Sequence, residues 1–213
     1  MALGRRATNA PERRGTPFDL LVVGLGNPGR QYAGTRHNVG ADVVDVLATR
    51  GGERLKAAKD ADALVAEVRI GTARVALAFP TTYMNDSGRA VAPLTRRYGI
   101  DDPSRLVVVH DELDLPPGRL KVKVGGGLAG HNGLRSIRDH LHTTDFVRIR
   151  IGVGKPPGGA AKGADHVLAA PSKADRELMA VCVQEAADAV EAILAEGPDA
   201  AMARFNQRGV DAT

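Results

Sequence analysis

Short apolar runs rich in β-branched residues alternate along the chain with amphipathic stretches. Residues 20–23 form a continuous apolar run and predict a buried strand. Val39, Val43, Val46 and Leu47 then recur at helical spacing, and Gly51-Gly52 closes that helix. Residues 63–70 and 74–79 read as two strands around the Gly71-Thr72 turn. Residues 85–98 read as a helix in which Pro93 predicts a kink or an early end, because proline lacks the backbone N–H. Residues 106–110 are a further buried strand.

In 120–124, Leu, Lys, Val, Lys and Val alternate, which predicts a strand with one wet, basic face. A glycine-rich turn at 125–130 leads into a helix with Leu134, Ile137 and Leu141 on one side. Residues 146–153 alternate again, with Val147, Ile149, Ile151 and Val153 on one face and Arg148 and Arg150 on the other. The Gly/Pro/Ala-rich stretch 154–163 reads as a loop. A long helix follows at 172–196, with Leu178, Val181, Cys182, Ala186, Ala189, Val190 and Ile193 turned inward, then a short final helix. Strands separated by helices, with one adjacent strand pair, predict an α/β fold: a single domain whose mixed β-sheet is flanked by helices on both faces.

Composition fits one such domain. The chain has 213 residues, 43% of them hydrophobic, with no Trp, three Tyr and four Phe, so Val, Leu, Ile and Ala must fill the core. The single cysteine, Cys182, excludes an internal disulfide framework and a Cys-based zinc site; its helical position reads as a buried, inert thiol. A chain without disulfides is consistent with a reducing cytoplasm. No stretch approaches the roughly 18–20 apolar residues of a membrane span. Residues 1–17 carry four arginines and no apolar run, and read as a disordered tail; 18–206 read as the domain and 207–213 as a loose end. Charge is uneven: between Arg119 and Lys155 eight Lys/Arg face only Asp139 and Asp145. Such a block suits a polyanion, nucleic acid first, or a solvated face balanced by acids elsewhere.

Gly24-Leu25-Gly26-Asn27-Pro28-Gly29 fits the G-x-G-x-x-G fingerprint of a dinucleotide site. That site needs a helix opening directly from the turn, with free N–H groups aimed at a pyrophosphate. Here Pro28 removes one N–H, and helical spacing begins only near Val39. Asp42 and Asp45 lie about 20 residues on, but within a helix. The turn is better suited to carrying Asn27 to the end of a strand, where α/β sheets bind ligands. His37, shortly after, is a side chain able to take a proton near neutral pH. Three more polar clusters each follow a predicted strand: Thr81 to Asn85, His110 to Asp114, and Gly125 to Gly133 with His131 and Asn132. Parallel neighbours would place them on one rim. Taken singly, Asn85 and Asn132 could be helix caps and Asp111 a turn residue.

The motifs GLGNPGRQYAGTRHNVG (24–40), PTTYMNDSGRAV (80–91), HDELDLPPGRLKVKVGGGLAGHNGLRSI (110–137) and DFVRIRIGVGKP (145–156) resemble those of the bacterial-type peptidyl-tRNA hydrolase family, in order over about 19–206. The resemblance implies a monomeric α/β esterase, without cofactor or metal, that cleaves the ester joining a peptide to the 3′ end of tRNA. It puts the catalytic base at His37 and its supporting carboxylate at Asp111. It also puts at Asn27 an asparagine that separates blocked from free aminoacyl ends. Tyr32, Tyr83, Asn85 and Asn132 match positions that contact the tRNA end or the peptide, and Met84 and His131 line the same cleft. Lys121, Lys123 and Arg148 are the expected contacts to tRNA phosphates. Leu128 and Lys155 depart from the family pattern. The competing reading is a protein of the same fold that binds RNA without hydrolysing it.

Overall fold

The protein is described here by a computed structural model covering residues 16–156 and 163–207. One seven-stranded sheet runs through it in the order β2-β3-β4-β1-β5-β7-β6. The strands are β1 (Leu20–Gly24), β2 (Lys56–Ala57), β3 (Ala63–Ile70), β4 (Ala73–Pro80), β5 (Leu106–Glu112), β6 (Leu120–Val124) and β7 (Val147–Gly152). β4, β1, β5 and β7 are parallel, while β2, β3 and β6 are antiparallel to their neighbours. The helices are α1 (Val39–Arg50), α2 (Ser87–Tyr98), α3 (Asn132–Leu141), α4 (Gly163–Leu168), α5 (Lys173–Glu196) and α6 (Pro198–Asn206).

Strand alternation sorts the core into two layers. Val22, Val107, Val109, Ile149 and Ile151 pack with α1, α5 and α6. Leu21, Val23, Leu106, Val108 and Phe146 pack with α2 and α3. The central strands are covered on both sides, which is why they read as unbroken apolar runs. The mixed α/β sheet expected from the sequence is therefore present.

Several local expectations change. α2 runs through Pro93 without ending. The carbonyl that Pro93 leaves without an N–H is that of Arg89, an exposed residue, so the loss falls on the solvent side. On α5, Leu178 and Val181 are exposed, while Met179 and Val183 take the inward places beside Cys182 and Ala186. Burial, with Glu185 nearby, pushes the Cys182 thiol up to about 11, as suits an inert core residue. β5 continues through Asp111 and Glu112, so Asp111 is a strand residue and not a turn residue. The short helix α4 begins at Gly163, the last residue of the stretch expected to be loop; residues 157–162 lie outside the described residues. So do 1–15 and 208–213, where most of the expected tails fall; Thr16 accepts a hydrogen bond from Arg74 at 2.9 Å.

Gly24 and Gly40 bring α1 onto the end of β1. A Cβ at Gly24 would collide with the carbonyl of Gly40, and one at Gly40 would lie 2.6 Å from Leu25 N and closer still to Val109 O. Backbone bonds then lock the contact: Leu25 N–H donates to Val109 O at 2.9 Å, and Ala41 N–H to Leu25 O at 3.2 Å. The fingerprint glycine Gly24 thus serves strand–helix contact. Gly40→Ala should lower stability by about 2–3 kcal/mol in urea unfolding, since no flexible side chain can yield. A loss below about 0.5 kcal/mol would mean that α1 is not seated this tightly.

Candidate active site

The parallel strands β1, β4 and β5 end on one rim, and the polar clusters gather there. A cleft of about 630 Å³ is lined by Asn27, His37, Tyr83, Met84, Asn85, Asp111, His131 and Asn132, with Gly163, Ala164, Val167 and Leu168 of α4. A larger hollow of about 730 Å³ lies by Lys56, Glu67 and Arg97, away from these residues.

Asn27 is buried and fully oriented. Its backbone N–H donates to Asn38 Oδ1 and its carbonyl accepts from Asn38 Nδ2, both at 2.9 Å. Its own Oδ1 accepts from Met84 N–H at 2.8 Å. The group Asn27 has left to offer the cleft is therefore its amide NH2, a donor. Asn38 was not singled out from the sequence; the only signal was its place beside His37.

His37 sits in the 3₁₀ turn Arg36–Asn38 that precedes α1. Its Nδ1 lies 2.8 Å from Asp111 Oδ1, and its Nε2 makes no hydrogen bond among the described residues. The neighbouring Arg36 is buried and holds the turn in place, reaching Ala170 O at 3.1 Å, Ala169 O at 3.4 Å and Asp175 Oδ2 at 3.1 Å. The His37 side chain keeps 13% of its surface exposed against 3% for Asp111, enough for water to reach the ring but not the carboxylate.

Asp111 Oδ1 also accepts from His131 Nε2 at 3.1 Å. Burial alone would raise the Asp111 carboxyl; the nearby His131, with hydrogen bonds from both imidazoles, outweighs it and holds the group well below the usual carboxylate range. Behind it, His110 donates from Nδ1 to the Asp111 carbonyl at 2.7 Å. Burial holds His110 well below its ordinary value, with His131 acting in the same direction, so it is a neutral packing residue. The other acid of the rim, Glu112, is paired: Arg150 Nε and Nη2 both reach its Oε2 at 2.9 Å.

His37, Asp111 and His131 are, among the described residues, the one group with metal-ligand potential, their candidate ligand atoms lying within 4.8 Å of one another. The spacings to Asp111 Oδ1, 2.8 and 3.1 Å, are those of hydrogen bonds. Two ligands of a tetrahedral zinc, each about 2.1 Å from the ion, would stand about 3.4 Å apart. As placed, both imidazoles are hydrogen-bonded to the carboxylate.

The helix starts position the remaining candidates. Asp86 is the N-cap position of α2 and His131 that of α3, so neither Asn85 nor Asn132 is a cap; both are exposed at the cleft. Gly88 lets α2 and α3 meet, its N–H donating to Ser136 Oγ at 2.9 Å, and this brings Met84 and Asn85 beside Asn132. Tyr83 is exposed at the cleft. Tyr32 is not among the lining residues; its carbonyl closes the preceding turn by accepting from Thr35 Oγ1 at 2.7 Å.

One cluster reaches the rim by an unexpected route. β6 is antiparallel to β7, with Val124 opposite Val147, so β6 ends at the far edge of the sheet. Residues 125–131 must travel back along the sheet to deliver His131. Arg148 directs that return: its guanidinium donates to the carbonyls of Gly125 and, at 2.9 Å, Gly127. Only 1% of Arg148 is exposed, so the expected tRNA contact is corrected: both Nη groups are spent on the glycine segment, which covers them. Leu128 packs partly buried on the α2–α3 core, which explains an apolar residue in that segment. Lys123 is exposed and Lys121 partly so on β6, and neither makes an ion pair among the described residues. Lys155 pairs with Asp114 at 2.7 Å.

The fold and site define an α/β protein whose carboxyl rim carries an imidazole–carboxylate pair in a cleft of amides, with lysines on the edge strand. The chain belongs to the peptidyl-tRNA hydrolase family: the sequence model of that family, described as Peptidyl-tRNA hydrolase, matches residues 21–213. The chain is 53% identical over 191 residues to the peptidyl-tRNA hydrolase of Leifsonia xyli subsp. xyli, covering 89% of this chain and 97% of that one. It is 51% identical over 196 residues to that of Cutibacterium acnes, covering 87% and 97%. The crystal structure of peptidyl-tRNA hydrolase from Acinetobacter baumannii superposes with a TM-score of 0.84 at 38% identity, over 91% of this chain and 98% of that one.

Arg148→Met should cost about 2–3 kcal/mol, because two glycine carbonyls lose a buried donor, yet leave the salt dependence of tRNA binding unchanged. Lys123→Ala should do the reverse, reducing the slope of log Kd against log salt by about 0.7–0.9 with little change in stability. A reduced slope in Arg148→Met would return Arg148 to the RNA surface.

Proposed function

We propose that this protein hydrolyses the ester between a peptide, or an N-blocked aminoacyl group, and the 3′ end of tRNA, with His37 as general base. The observation that carries the reading is the state of His37. Its Nδ1 is 2.8 Å from a buried carboxylate, and its Nε2 is unpartnered in a cleft lined by asparagines. An ionised Asp111 accepts a hydrogen bond from the Nδ1–H of His37, which leaves the lone pair on Nε2. Nε2 takes a proton from water as its oxygen attacks the ester carbon. Asp111 stabilises the imidazolium that forms. The oxyanion is met by amide donors, with the Asn27 NH2 available because its Oδ1 is held by Met84. The carbon–oxygen bond to the ribose then breaks, and the imidazolium returns its proton to the leaving oxygen.

Asn85 and Asn132, with Tyr83 and Met84, suit a substrate whose peptide backbone is constant and whose side chains vary. His131 belongs to the same cleft. Lys121 and Lys123 suit the tRNA phosphates, held without reading sequence. A monomer, as the family resemblance implies, is part of this proposal. No helix among the described residues is long and apolar enough to cross a membrane, and we place the reaction with translation in the cytoplasm. The alternative of RNA binding without hydrolysis leaves the buried Asp111 and the bare Nε2 without a purpose.

Release of the acyl group from N-acetyl-aminoacyl-tRNA tests the reading. His37→Ala should lower turnover by about 10²-fold or more with tRNA affinity retained. Full turnover in that variant would remove His37 from the chemistry.

A further inference from the structure

We infer that His131 is a positioning residue, whose Nε2–H governs how much of the Asp111 carboxylate charge acts on His37. The inference rests on the reading of His37 as the general base. Both ring nitrogens of His131 are committed within the protein. Nδ1 accepts from the Leu134 N–H at 3.4 Å, as the N-cap of α3. A backbone N–H can only donate, so Nδ1 is bare and the ring proton sits on Nε2. That proton points to Asp111 Oδ1 at 3.1 Å, the same oxygen that holds His37 Nδ1 at 2.8 Å. Only 7% of the His131 side chain is exposed, and its ring is wedged between His110 and His37, at centroid distances of 4.9 and 5.4 Å. It has no nitrogen left for substrate.

Two imidazole donors on one oxygen divide its charge. A carboxylate that served His37 alone would stabilise the imidazolium more strongly, and the base would be protonated at higher pH. His131 therefore limits how strongly Asp111 favours the imidazolium form of His37, while helping to hold Asp111 ionised. The other charged groups around the pair are engaged elsewhere or exposed to solvent. From the turn before α1, Arg36 binds Asp175 and the carbonyls after α4. From β5, Glu112 pairs with Arg150 of β7, and His110 donates to a backbone carbonyl. Arg148 of β7 holds the glycine segment. On α3, Arg135 reaches Gly130 O at 2.7 Å. On α4, His166 Nε2 meets Val153 O at 3.1 Å, and Asp165 is exposed.

Two substitutions separate the two nitrogens. His131→Asn places an oxygen near Nδ1, keeping the cap and deleting the donor to Asp111. His131→Gln places an N–H near Nε2, keeping the donor. The readouts are the acidic limb of kcat/KM against pH on N-acetyl-aminoacyl-tRNA, and the midpoint of the His37 ring titration followed by NMR. In His131→Asn both should move up by about half a pH unit or more, and in His131→Gln both should return toward the parent. An unmoved midpoint in His131→Asn, or a change confined to KM, overturns the inference. Nitrogen shifts of the parent give a check independent of any variant. His131 should keep Nδ1 bare and Nε2 protonated while His37 titrates; a protonated Nδ1 overturns the inference as well. The ring midpoint is read without turnover, so it fails separately from the base assignment, which falls only if His37→Ala stays active.

Discussion

The arrangement depends on one carboxylate placed where carboxylates are costly. Asp111 sits within a central strand, sealed from water, and remains ionised because two imidazoles donate to the same oxygen. An unpaired charge there would be strongly destabilising, so the partners are obligatory. Satisfying Asp111 orients the ring of His37, and in the proposed mechanism it sets the tautomer that leaves Nε2 to act as the base.

The fold can be understood as the means of bringing two histidines to that oxygen from different directions. His37 arrives from β1 through a turn pinned at both ends. Asn38 clamps the backbone of Asn27, and Gly24 and Gly40 allow α1 to rest on the strand. His131 arrives from β6, which ends at the wrong edge of the sheet, through a glycine segment steered by buried Arg148. The asparagine cleft then follows from the close contact of α2 and α3 at Gly88. Each glycine and each buried polar group in this chain of contacts answers to the position of Asp111.

Much of the candidate site was legible because polar residues at strand ends interrupt apolar runs. Asn27, Asn85 and Asp111 stand at or near such points, His37 and His131 come from the segments that follow β1 and β6, and the structure brings them into one cleft with Asn132. The mixed α/β sheet was legible for the same reason of period. What escaped is non-local. Alternation places Arg148 correctly on the face opposite Ile149, but only the returning segment 125–131 buries it, and strand spacing says nothing of that return. The clamp of Asn38 on Asn27 spans 11 residues of chain, with no periodic signal. On α5 the inward stripe was read with Leu178 and Val181, whereas packing on α1 and α6 selects Met179 and Val183. Pro93 shows a local rule overridden where the orphaned carbonyl faces solvent.

The central claim is that a buried, ionised Asp111 orients His37 for the removal of a proton from water. Asp111→Asn keeps the shape while replacing the carboxylate with an amide, and single-turnover hydrolysis of N-acetyl-aminoacyl-tRNA at saturating enzyme measures the consequence directly. The account predicts a fall in rate of about 10²–10⁴-fold with tRNA affinity unchanged. A rate within a few fold of the parent would contradict it.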